Sequence, residues 1–113
     1  MVHNRNKLID LFVGNISNSI VHKILEKAID TEEIGRRYDK EAITSREIAR
    51  KYRGKINPIG TRLPEKDIEY IRNKIVNKVR AELGLRISKG YRNIDLDLIE
   101  GLVDDTLKNM KVI

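Results

Sequence analysis

Between Pro64 and Leu83 the branched aliphatic residues Ile68, Ile71, Ile75, Val79 and Leu83 recur at steps of three and four, with Val76 beside them. That spacing fits a helix with one apolar face and cannot be laid on one side of a strand, whose side chains alternate. Pro64 suits the first turn of such a helix, because its missing N–H would have no partner there. Gly84 is a C-terminal stop signal, so the expected helix runs over 64–83. The opposite face reads Lys66, Tyr70, Asn73, Lys74, Asn77, Arg80 and Ala81, with no acid at its centre.

The same period recurs elsewhere, and no segment reads as a convincing strand. Leu8, Ile9, Phe12, Val13, Ile16 and Ile20 form one apolar stripe, continued by Val21, Ile24, Leu25, Ala28 and Ile29. The stripe rotates near Gly14 and Asn15. The sequence therefore predicts either a kink there or a helix buried on two sides. Two-sided burial in a chain of 113 residues would suggest that the segment 4–29 serves a homodimer. Asp30 or Thr31 with Glu33 can open a further short turn, ending in the charged stretch from Gly35 to Lys40. Thr44 and Ser45 are good N-caps, Glu47 suits a first turn, and Ile48, Ala49 and Tyr52 form a short buried stripe closed by Gly54. Residues 54–63 read as a loop by their Gly, Asn and Pro content. After a basic connector, Leu85 to Arg92, a last helix is expected from about Asp95 to Met110, burying Leu96, Ile99, Leu102, Val103, Leu107 and Met110. The expected architecture is all-α: one domain over 1–113, a small bundle of four to five helices.

Composition excludes several classes. With 40% hydrophobic and 35% charged residues the chain has the material for one modest core. No apolar run approaches the roughly 18 residues needed to span a bilayer, so no membrane role and a cytoplasmic location are expected. The absence of Cys excludes disulfides, thiolate metal sites and a cysteine nucleophile. Absent Cys and Gln with abundant Ile, Lys, Glu and Arg is a mild thermophile signal. His3 and His22 are the only histidines, neither with a ligand partner at i+4, so no metal and no cofactor are expected. There is no nucleophile elbow, no phosphate loop after a strand and no carboxylate pair placed for acid–base work. Neither an enzyme nor a small-molecule substrate is expected.

Charge points to a partner. Residues 1–35 carry a net −1, residues 36–92 a net +10, and residues 93–113 a net −3. A basic midsection raises the local concentration of polyanions. Its densest part is Arg46, Arg50, Lys51, Arg53, Lys55 and Arg62, opposed only by Glu47. Asn57 and Thr61 could add hydrogen bonds to phosphate oxygens. Phe12, four tyrosines and no Trp supply few stacking platforms, which favours duplex DNA over RNA and over single strands.

The run Ile43-Thr44-Ser45-Arg46-Glu47-Ile48-Ala49-Arg50-Lys51-Tyr52 resembles the first helix of a helix-turn-helix pair. That resemblance implies a unit made of the short helix near 45–53 and the long helix near 64–83. Asn73, Lys74, Asn77 and Arg80 would then face a DNA groove. Pro58 and Gly60 depart from the pattern, because they fall where the second helix should begin, so the turn would have to be expanded. The expected function is a small basic DNA-binding protein, regulatory or architectural. The alternative is a helical protein-interaction or assembly subunit with no nucleic-acid role.

Overall fold

A computed structural model describes residues 4–29, 31–57 and 62–113. Four α-helices account for most of them: α1 over Arg5–Ala28, α2 over Glu32–Ile56, α3 over Glu65–Ser88 and α4 over Ile99–Asn109, the last preceded by a 3₁₀ turn at Leu96–Leu98. No strand occurs among the described residues, and the chain is a small all-α bundle. No helix is long and apolar enough to cross a membrane.

α1 is the axis of the fold. Asn4 caps it, its side-chain oxygen accepting from the Lys7 N–H at 2.8 Å. The helix passes through Gly14 and Asn15 without a break. The rotating stripe is therefore two-sided burial, met inside one chain: α1 packs along α2, lies against α3 and touches α4. Its Phe12, Ile16, Ile24 and Leu25 are fully buried with Ile71, Ile75, Val79 and Leu83 of α3 and Ile99, Val103 and Leu107 of α4.

Cross-helix bonds give the directions. Asn18 donates to Ser45 Oγ at 2.7 Å, Ser19 Oγ donates to the Ala42 carbonyl at 2.7 Å, and Lys23 pairs with Asp39 at 3.3 Å, so α1 and α2 are antiparallel. Arg5 pairs with Asp67, and Tyr70 donates to Asp10 at 3.2 Å, so α3 runs parallel to α1. Arg72 pairs with Asp104 at 2.8 Å, and Arg53 near the end of α2 reaches Met110, which brings α4 back down.

The largest departure from expectation is α2. In place of a charged turn followed by a short helix near 45–53, residues 32–56 form one helix. Thr44 and Ser45 cap nothing. Thr44 Oγ1 donates back to the Lys40 carbonyl at 3.0 Å, and Ser45 Oγ accepts from Asn18, so both hydroxyls are used without ending a helix. Gly35 and Gly54 lie inside the helix at a cost of about 1 kcal/mol each, which packing against α1 outweighs. Only Ala42, Ser45, Ala49, Arg53 and Ile56 are buried, a narrow stripe of mostly small residues. Ile48, expected inside, is 39% exposed, and Tyr52 is only half-buried. With residues 45–53 inside one long helix, and α2 and α3 each packed on α1, the described residues do not form the short helix of a helix-turn-helix-like unit.

The later helix ends also shift. α3 continues through Gly84 to Ser88 and stops at Gly90, whose φ of 99° is left-handed. There the Tyr91 N–H reaches the Arg86 carbonyl and the Gly90 N–H that of Ile87, a Schellman cap. Leu96, expected in the core, sits in the 3₁₀ turn at 37% exposure. α4 ends in a second Schellman cap, the Val112 N–H reaching Leu107 and the Lys111 N–H reaching Lys108. Here the left-handed residue is Lys111, at φ 57°, and its Cβ is strained against the backbone. Lys111→Gly is expected to raise stability by about 1 kcal/mol, or roughly 4 °C in Tm, checked by thermal unfolding followed by circular dichroism.

Candidate nucleic-acid interface

Because α2 buries one narrow stripe, the rest of its circumference meets solvent. Arg46, Arg50, Lys51 and Lys55 are all exposed on it. Continuity of the helix adds two residues that sequence reasoning missed, Arg37 and Lys40. Arg37, Lys40, Thr44, Ile48, Lys51 and Lys55 follow one another at steps of three and four, so four cations share one outward line about 27 Å long. The spacing was readable in the sequence. A helix start at Thr44 would cut that line in two.

Six of the described Lys and Arg residues are ion-paired, and the unpaired ones include Lys66, Lys74, Lys78 and Arg80 of α3 as well as cations of α2. Arg5, Lys23, Arg36, Arg62, Arg72 and Arg86 each have a carboxylate partner. Asp104 raises the Arg72 pKa from its ordinary value, first through the hydrogen bond it accepts. Among the described residues Arg37, Lys40, Arg46, Arg50, Lys51 and Lys55 have no ion pair. Lys55 lies over the Tyr52 ring, 5.7 Å from its centroid.

Several expected contacts are lost to the fold. Arg53 is 2% exposed and points inward. Its Nε donates to the Met110 carbonyl at 2.9 Å, Nη2 to the Lys111 carbonyl at 2.7 Å, and Nη1 to Asn57 Oδ1. Burial lowers its pKa from the ordinary value. Arg53 and Asn57 are thus parts of the α2–α4 junction and are removed from the interface. Arg62 is engaged by Glu65 at 2.8 Å. Thr61 lies outside the described residues, as do Pro58 and Gly60. Arg86, in the stretch expected as a basic connector, belongs instead to the last turn of α3 and is bonded to Glu82.

The α3 residues form a second surface. Asn73, Lys74 and Asn77 line a groove between α1 and α3, with Asp10, Tyr70, Lys78 and Ala81. Lys74 stands 5.7 Å from the Tyr70 ring centroid. Arg80 is exposed but does not line this groove. Arg46 lines a different depression, walled by α1, α2 and α4, with Lys23, Asp39 and Asp105. Arg50, one turn on, shares Arg46's side of α2. The expected site is therefore split, because α2 and α3 each pack on α1 rather than on one another. Among the described residues no cluster of three His, Asp or Glu could hold a metal ion.

No protein-family model, no curated protein and no solved structure matches this chain. The functional reading accordingly stands on the geometry and charge of its own residues.

Proposed function

We propose that this protein binds nucleic acid, duplex DNA by preference, through the solvent face of α2. The observation that carries the reading is the outward line of four exposed cations on that helix, Arg37, Lys40, Lys51 and Lys55, without carboxylate partners among the described residues; Arg46 and Arg50 stand on another side of it. A rigid helix bearing cations over about 27 Å spans several successive phosphates of one strand of a duplex, which are spaced about 3.4 Å per base pair. Such contacts fix position and carry no base identity. The mode is therefore sequence-tolerant and architectural, without a recognition helix seated in a groove. Asn73, Lys74 and Asn77 stand on another surface and have no assigned part in this contact. Under this reading the protein works in the cytoplasm. The two-sided burial of α1 no longer argues for a homodimer, since neighbours in the same chain supply it.

Fluorescence anisotropy with a random duplex of about 20 base pairs tests the reading. We expect micromolar affinity at about 50 mM salt and a log–log salt slope of about −3.6, four contacts at about −0.9 per neutralised phosphate. No binding at about 10 µM protein in that buffer would remove it.

One observation favours the assembly reading. The depression between α1, α2 and α4 has an apolar part, Ile20, Ala42, Ile43 and Leu102, beside charged Lys23, Asp39, Arg46 and Asp105. Salt-sensitive oligomers in light scattering without nucleic acid would support that reading.

A further inference from the structure

Ser17 is 4% exposed, and its Oγ has no hydrogen-bond partner among the described residues. Buried hydroxyls are almost always paired, and a helical serine has an easy partner in the carbonyl four residues back. Ser17 declines that bond and lines a cleft between α1 and α3 with Gly14, Asn18, Lys78, Glu82 and Arg86. A Cβ built on Gly14 would meet the Lys78 ammonium at 3.9 Å, so that ammonium lies directly over the bare backbone of α1. Lys78 has no ion pair among the described residues, although Glu82 is one turn away on the same helix. Glu82 is engaged instead by Arg86, its Oε2 accepting from Nη1 at 3.2 Å. Asn18 Nδ2 is committed to Ser45.

The cleft thus joins an unpaired buried hydroxyl, an unpaired ammonium and a guanidinium whose charge Glu82 offsets. Two cations against one carboxylate leave one positive charge. A hydroxyl that turns about its Cα–Cβ bond and an ammonium are both donors to oxygen, and the absent side chain of Gly14 leaves room above the helix. We propose that this cleft is a site for one phosphate group, held by Lys78 and Ser17 and bordered by Arg86. The site is separate from the α2 face and does not rest on the function proposed for it. The phosphate can belong to a nucleic-acid backbone or to a phosphorylated small molecule, since the donors read only the group itself.

The test is titration of the full chain with inorganic phosphate, followed by amide NMR, against chloride at equal ionic strength. The Gly14, Ser17, Asn18 and Lys78 amides are expected to shift with a dissociation constant of about 1 mM, as one or two charge-assisted bonds imply. Lys78→Ala, at an exposed position, should weaken this roughly tenfold. Ser17→Ala should weaken it too, while leaving the thermal midpoint of the free protein unchanged or higher, because it deletes an unpaired buried hydroxyl. A Ser17→Ala variant with a lowered midpoint would show the hydroxyl bonded internally and overturn the assignment. Shifts that are absent, or that Lys78→Ala leaves unaltered, would overturn it equally. Repeating the titration with duplex DNA separates the sources: movement of the same amides identifies a backbone phosphate, and their silence identifies a small phosphorylated ligand. Charge reversal on α2 should leave the inorganic phosphate response intact, so the two surfaces succeed or fail independently.

Discussion

Arg53→Met is expected to lose about 3 kcal/mol of stability and to lower Tm by about 12 °C. The guanidinium fills the junction where α2 and α4 both end, and two of its donors hold the Met110 and Lys111 carbonyls at the C-terminus of α4. Those carbonyls belong to the negative end of the helix dipole and have no partner within the helix. Methionine matches much of the volume but leaves the acceptors unpaired, at about 1–3 kcal/mol each. Relief from burying a charge offsets part of that loss, which sets the net figure nearer 3 than 6 kcal/mol. Arg53→Lys should fall between, because one ammonium cannot reproduce the planar fork that spans both carbonyls and Asn57. Urea unfolding followed at 222 nm measures the effect, and a loss under about 1 kcal/mol would contradict the clamp. Well below the midpoint, both variants should bind duplex DNA like the parent, since Arg53 faces inward.

Reversing Arg37, Lys51 and Lys55 to Glu together is expected to abolish detectable DNA binding at about 50 mM salt, a loss of at least a hundredfold. Each removed cation deletes one phosphate contact, and each new carboxylate repels the same strand. The milder triple change to Gln should lower the salt slope by about 2.7, at 0.9 per phosphate, with weaker binding of all sequences alike. Folding should survive both changes, because the three side chains are exposed and have no ion pairs among the described residues. The control is Asn73, Lys74 and Asn77 changed to Ala. If that set weakens DNA binding as much as the α2 set, the contact surface is the α1–α3 groove and the assignment to α2 is wrong.

The helical class and the core of α3 were legible because period carries that information. Ile68, Ile71, Ile75, Val79 and Leu83 are all buried as their spacing required. The helix ends were not legible, because stop signals compete with packing. Gly84 offered an end to α3 and Gly54 an end to α2, and in both cases the helix continued. Gly90 does end a helix, at the place where the backbone turns left-handed. Thr44 and Ser45 looked like caps because a hydroxyl satisfies a free N–H. Here those hydroxyls bond a carbonyl of their own helix and the side chain of Asn18.

The candidate interface divides the same way. Local composition marked the basic midsection, and four of its cations do stand together on α2. Local composition could not show that Arg53 turns inward, because its acceptors, Met110 and Lys111, lie nearly sixty residues away. It could not show that α2 and α3 lie against α1 and not against one another. Charge and apolar period are properties of neighbours along the chain, and sequence alone settled them. Which cations stay free, and whether two helices share a face, depends on groups distant in sequence meeting in space. Those matters were settled when the four helices closed around α1.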